Sequence, residues 1–167
     1  MPTSSVGRTG SRRARNAGLT LLEMIVVTAI IALMAGLSYP AISAGLDSVR
    51  LATATESVAS FLNSGVTHAQ RRQQGVALII SPRDSRLALY SNEPGYTREL
   101  KVPDGIVIEG ILPETSEAPG EPRHFLFLPG GTVPGITVIL ANKRGGQRQV
   151  RLDPMTGFPR IESVIAK

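Results

Sequence analysis

At 167 residues the chain has room for one compact domain plus an anchoring segment. It contains no cysteine, which excludes disulfides, zinc–thiolate centres and thiol catalysis, and its lack of tryptophan with few other aromatics argues against a base-stacking surface. The formal charge of +5 invites a nucleic-acid reading, but Arg8, Arg12, Arg13 and Arg15 face no acid within the first 18 residues; without that leader 14 basic residues meet 13 acidic ones. The rest of the chain is therefore nearly neutral, and its charge argues against nucleic acid as the main partner.

The leader ends at Gly18, and an apolar run begins at once. It covers residues 19–42 and carries a single charge, Glu23. As a helix, 24 residues span roughly 36 Å, enough for a bilayer core of about 30 Å. The arginines before it would hold the leader on the cytoplasmic side and send the following domain outward, across the membrane. An ionised carboxylate at the start of such a segment is costly, up to about 2.5–3.5 kcal/mol if placed centrally, and so marks a partner or a pathway. The bland alternative leaves Glu23 solvated among the headgroups.

Gly18, Thr20, Leu21, Leu22 and Glu23 together resemble the class III signal of type IV prepilins and type II secretion pseudopilins. Leu19 replaces the family's usual phenylalanine and stays apolar. The resemblance implies cleavage between Gly18 and Leu19 by the prepilin peptidase, N-methylation of Leu19, and a filament-assembly role for Glu23. The new amine would lie one helical turn before Glu23, which would pair with its own terminus or a neighbour's. A rival reading is an ordinary secretory signal peptide cut at Ala41-Ile42-Ser43, giving a soluble secreted binding module. Against it, the apolar run is too long and an acid interrupts its start.

The helix is expected to continue to Arg72, with a kink or local break at Pro40, loosened further by Gly36 and Ser38. Residues 43–75 form its amphipathic part. Leu51, Thr55, Val58, Leu62, Gly65 and Ala69 recur at steps of three and four, with Ala54 and Phe61 beside them. That stripe reads as the face that packs on a sheet. Arg71-Arg72 suits the negative end of the helix dipole, and Gly75 is the stop.

Residues 76–167 change texture, with short β-rich runs between Gly, Pro and Asp turns, the pattern of an antiparallel sheet. Strands are expected at 76–81 and 86–90, and a strand pair at 99–102 and 106–109 around Pro103-Asp104-Gly105. Residues 112–123, with Glu114, Glu117 and Glu121 among prolines and glycine, read as an exposed loop. Phe125-Leu126-Phe127-Leu128-Pro129-Gly130-Gly131 leads to a strand at 135–140, a hairpin over Lys143-Arg144-Gly145-Gly146, a strand at 147–152, and Thr156-Gly157 before a closing Arg160-Ile161. This order resembles the C-terminal half of the GspH/FimT family of minor pseudopilins and minor pilins.

No enzymatic constellation is present. His68 and His124 lack companions at metal-ligand spacing, so no metal or cofactor is expected, and the loop acids do not form a calcium cage. No serine sits in a nucleophile elbow, and the glycine pairs lack a phosphate-loop lysine. Lys143, Arg144, Arg148, Arg151 and Arg160 make the C-terminal region locally basic. Some FimT-like pilins bind DNA through a Gly-Arg-x-Arg element, and Gly157-Phe158-Pro159-Arg160 keeps only its glycine and second arginine. Weak, salt-dependent phosphate contact from Lys143, Arg144, Arg148 and Arg160 is thus the alternative to a solvated strand face.

The resemblance as a whole implies an α+β, pilin-like fold, with a long N-terminal helix packed through its second half on antiparallel sheet. It implies a non-enzymatic pseudopilus subunit near the tip, held in the inner membrane by one helix with its β domain in the periplasm. Its partners would be other minor and major pseudopilins, the prepilin peptidase and the inner-membrane assembly platform. The alternative within the same architecture is a minor type IV pilin in pilus assembly or DNA uptake.

Overall fold

A computed structural model describes residues 20–93, 95–114 and 120–163, with only the backbone described for 38–42 and 44. The elements are α1 (Leu21–Arg72), β1 (Val76–Ser81), β2 (Arg86–Ser91), β3 (Thr97–Lys101), β4 (Ile106–Leu112), β5 (Arg123–Phe127), β6 (Thr137–Asn142), β7 (Gln147–Leu152) and β8 (Pro159–Ser163). The chain divides into two compact units, one ending at Pro40 and the other covering Ala41–Lys167. Helix α1 contributes to both, and the α+β, pilin-like architecture is the one expected.

In the first unit α1 is apolar on every side, and Leu21, Leu22, Ile31, Leu33, Met34 and Leu37 are all exposed. Among the described residues, no helix is long and apolar enough to cross a membrane. The expected span over 19–42 reaches past those residues at both ends, since Leu19 and the side chains of 38–42 are outside them. Helical backbone continues through Pro40, so the proline does not break α1. A proline removes one i→i−4 hydrogen bond, and the turns on either side keep theirs.

In the second unit α1 buries one stripe. Leu51, Ala54, Thr55, Val58, Leu62 and Ala69 are all buried, as their spacing predicts, and Phe61 packs partly against the core. Thr55 is the one buried polar residue described, and it donates its hydroxyl to the Leu51 carbonyl at 2.6 Å. The stripe needs a glycine where helix meets sheet. A Cβ built on Gly65 would stand 2.8 Å from Leu89 Cδ2 and 3.0 Å from Phe127 Cε2, so the bare backbone sets how closely α1 approaches β2 and β5.

The strands form two four-stranded antiparallel sheets, ordered β3-β2-β1-β5 and β4-β6-β7-β8. Inward-facing Leu78, Ile80, Leu87, Leu89, Val138, Leu140, Val150 and Leu152 are fully buried and join the helix stripe in a single core. One expected pairing is overturned. Residues around Pro103-Asp104-Gly105 do not join a hairpin, because β3 pairs with β2 and β4 pairs with β6. The segment is a crossover between sheets. The Val102 N–H donates to the Ser85 carbonyl at 2.9 Å, which keeps it with the first sheet, and the Ile106 N–H donates to the Pro103 carbonyl at 3.1 Å, which turns the chain into the second. Both flanking side chains are buried, so the crossover is fastened at the core on each side. A bulge between Ile108 and Gly110 then resets the register so that Ile106, Ile108 and Ile111 all face inward.

Candidate functional site

The assembly end is built from the first turn of α1. Thr20 is its N-cap: Thr20 Oγ1 accepts the Glu23 N–H at 3.2 Å, and the Thr20 carbonyl accepts the Met24 N–H at 3.2 Å. Thr20 and Glu23 stand at the Ncap and N3 positions of a capping box, which places an acid where the helix dipole is positive. The Thr-Leu-Leu-Glu order therefore has a local structural purpose besides any partner it meets. A helix apolar around its whole circumference is stable only in apolar surroundings, lipid or other helices. Gly18 and Leu19 lie outside the described residues.

The basic residues of the C-terminal third do not gather into one patch. At the β6–β7 turn, Asn142 Oδ1 accepts the N–H groups of Arg144 and Gly146 at 3.0 and 2.8 Å. That turn carries Arg144 back onto α1, where its Nε donates to Asp47 Oδ2 at 2.8 Å and its Nη2 to Ser43 Oγ at 2.7 Å. Lys143 stays exposed beside it. Along β7, Arg148 shares the face of buried Val150 and Leu152, whereas Arg160 on β8 pairs with Arg151 on the opposite face. Arg160 also lies 3.6 Å from Asp153. Two of the four candidate DNA contacts, Arg144 and Arg160, are thus engaged with carboxylates, and the pleat separates Arg148 from Arg160.

The turn between β7 and β8 explains the Thr156-Gly157 signature. Asp153 Oδ1 accepts the Met155 N–H at 2.9 Å, and the Gly157 N–H donates to the Asp153 carbonyl at 2.8 Å. Gly157 has a φ of +71°, and a Cβ there would meet Val66 Cγ1 at 3.2 Å and Val133 Cγ2 at 3.3 Å. Only glycine combines that backbone with that close approach. Hydrogen bonding from the Met155 N–H, joined by Thr156 and by the Arg160 charge, holds the Asp153 carboxyl below the usual carboxylate range, against an opposing push from partial burial.

A second constellation was not anticipated from the sequence. His68 stacks on Tyr96, with ring centroids 3.5 Å apart and planes 17° from parallel. His68 Nε2 lies 3.1 Å from Glu93 Oε2, outside hydrogen-bond geometry, and Arg72 Nε lies 3.6 Å from the same oxygen. His68, Arg72 and Tyr96 edge a cleft of about 630 Å³ between α1 and the start of β3. The helical half was legible as polar residues at 60, 63–64, 67–68 and 71–72, a stripe at helical spacing. Glu93 and Tyr96 were not, because a turn distant in sequence brings them there.

A larger cleft of about 750 Å³ runs along the β4 bulge. Three of its polar side chains are hydrogen-bonded within it. Arg123 Nη1 donates to the carbonyls of Ile111 and Pro113 at 3.0 and 2.7 Å, and Gln147 Nε2 donates to Glu109 Oε2 at 2.7 Å. His124 is exposed on β5, opposite Ile79. Among the described residues no three His, Asp or Glu side chains are placed to hold a metal ion. Glu117 of the acidic loop lies outside those residues.

Residues 13–39 match the prokaryotic N-terminal methylation motif. Among solved structures, the fold is similar to the minor pseudopilin EpsH from the type 2 secretion system of Vibrio cholerae. That match has a TM-score of 0.53 at 16% identity and covers 68% of this chain and 97% of that one. The type IV minor pilin FimU of Pseudomonas aeruginosa aligns with a TM-score of 0.48 at 15% identity, over 69% of this chain and 88% of that one. No curated protein sequence matches the chain. The chain thus joins a prepilin-type N-terminal methylation motif to a fold similar to that of a solved minor pseudopilin.

Proposed function

We propose that this protein is a minor pseudopilin of a type II secretion system, placed near the tip of the pseudopilus and supporting export of folded proteins across the outer membrane. The observation that carries the reading is the methylation motif over residues 13–39 on a chain whose fold is similar to that of the minor pseudopilin EpsH. In this reading the leader arginines stay cytoplasmic, and residues 19–42 span the inner membrane with the β domain in the periplasm. The prepilin peptidase hydrolyses the Gly18–Leu19 bond, and the new Leu19 amine is methylated.

Glu23 then has two tasks. Its backbone N–H is already bound by Thr20 Oγ1, which fixes the first turn. Its carboxylate is left for the cationic amine of Leu19 or of a neighbouring subunit, a pairing that an apolar environment strengthens and that sets the register of assembly. The protein performs no chemistry itself. It is a peptidase substrate and a structural subunit that meets major and minor pseudopilins through the apolar half of α1 and the assembly platform at the membrane.

The same motif suits a minor type IV pilin, and a clean deletion strain separates the two. Exoenzymes trapped in the periplasm, with twitching and transformation intact, support the secretion reading. Normal secretion with lost motility or DNA uptake overturns it in favour of the pilus.

A further inference from the structure

Three features outside the assembly helix meet at one place: a polar cleft, a sheet edge and a set of uncompensated charges. The cleft between α1 and β3 receives Arg71 and Arg72 from the last turn of α1 and Arg98 from β3. Of these, only Arg72 has a carboxylate partner among the described residues, Glu93 at 3.6 Å. Among the described residues three buried side-chain atoms make no hydrogen bond, His68 Nε2, Glu93 Oε2 and Tyr96 Oη, but the first two face each other at 3.1 Å as an ion-pair contact. All three belong to this constellation. Buried polar atoms are nearly always satisfied, so the unpartnered Tyr96 hydroxyl marks where a further polar group fits.

The strand beside the cleft is an edge. β3 ends its sheet, bonded to β2 on one side only. Its pleat turns Tyr96, Arg98 and Leu100 toward α1, since Arg98 and Leu100 lie opposite Leu89 and Leu87, both buried under the helix. Past Arg98 the cleft continues into a second hollow of about 440 Å³, where Phe61 and Leu100 lie among Thr53, Glu56, Ser57 and Ser60. The groove along the edge is therefore cationic at one end, and at the other it offers the apolar pair Phe61 and Leu100 within a hydroxyl-rich rim that carries one acid, Glu56. An unpaired edge offers a row of N–H and C=O groups to an added strand, and alternate side-chain positions along the groove give selectivity.

We propose that this groove docks an extended segment of a partner protein, added to β3 as a strand. Acidic side chains of that segment lie against Arg71, Arg72 and Arg98, and an apolar side chain, further along the same face, lies against Phe61 and Leu100. A strand shows every second residue to one face, so the fitting pattern is acid-x-acid-x-apolar. Guanidinium forks bind carboxylates in paired hydrogen bonds, and an incoming carboxylate or hydroxyl also gives the Tyr96 hydroxyl the partner it lacks. The inference is independent of which machine the subunit serves.

The test uses the full chain in detergent micelles and a fluorescent peptide, Thr-Glu-Thr-Glu-Thr-Phe-Thr, followed by anisotropy. Saturable binding is expected. Arg71→Gln and Arg98→Gln should each weaken it at least tenfold, and Thr97→Pro, which alters the edge backbone without touching a charge, should do the same. Replacing both peptide glutamates by glutamine should abolish binding, and Arg148→Gln, on the other sheet, should leave it unchanged. The variants are compared at matched circular dichroism, so that loss of fold is not read as loss of docking. The proposal is overturned if the peptide does not bind, or if binding survives Arg98→Gln. It is equally overturned if Thr97→Pro is silent, or if inorganic phosphate or duplex DNA displaces the peptide and binds with the same arginine dependence.

Discussion

The contact at Gly65 allows one chemical change to be made twice with opposite results. Gly65 and Gly45 both lie inside α1, and replacing a mid-helix glycine by alanine is worth about 0.8–1.0 kcal/mol through backbone entropy. A Cβ on Gly45 meets nothing within 4 Å, so Gly45→Ala should stabilise the domain by about 1 kcal/mol. A Cβ on Gly65 arrives 2.8 Å from Leu89 Cδ2 and 3.0 Å from Phe127 Cε2. Leu89 and Phe127 are at most 1% exposed, with no open space to move into. Overpacking a tight core costs about 1–3 kcal/mol, which outweighs the propensity gain. Gly65→Ala should then destabilise by about 1 kcal/mol, and the two variants should differ by about 1–3 kcal/mol, the packing contribution alone. Urea unfolding of the full chain in micelles, followed by circular dichroism, measures both. If Gly65→Ala stabilises as much as Gly45→Ala, helix and sheet are not in close contact there and the reasoning fails.

Gly157→Ala should cost about 1–2 kcal/mol from the left-handed backbone, with a further loss from crowding Val66 and Val133; unchanged urea midpoints would refute it. Thr20→Val should cost about 1 kcal/mol in the first turn of α1 through loss of the cap, read as faster amide exchange at Glu23 and Met24, while Thr20→Ser should restore protection. Glu23→Ala should leave membrane insertion intact and reduce co-purification with partner subunits; unchanged recovery of those subunits would count against pairing with a terminal amine. Because the folded Asp153 pKa is lowered, its contribution to the β7–β8 turn is fully present above the ordinary carboxylate value and is lost as pH falls through the folded one. Carbon-13 titration should place Asp153 below the ordinary range, and Asp153→Asn should remove that acid-side loss of Gly157 protection; titration at the ordinary value would overturn this.

What could be read in advance followed from periodicity. The buried stripe from Leu51 to Ala69 was visible because a helix facing a core must repeat apolar residues at three and four, and β1 and β7 were found residue for residue because alternation and turn glycines bound them. The motif around Gly18 and Glu23 was legible for a related reason, since an isolated acid in an apolar segment has few explanations. The false hairpin at Pro103-Asp104-Gly105 shows the limit. A tight turn specifies a reversal of direction but not which strand lies alongside afterwards.

Local composition therefore determined the elements, the class of the N-terminal segment and the absence of cysteine chemistry. Tertiary structure alone decided how those elements share the core: the split into two sheets, the close approach at Gly65 and Gly157, and the return of Arg144 to Asp47 across 97 residues. It also decided that the basic side chains of the last third lie apart, while Arg71, Arg72 and Arg98 meet beside a free edge. Periodicity is a property of neighbours along the chain, whereas pairing and charge clustering depend on distances that only packing sets.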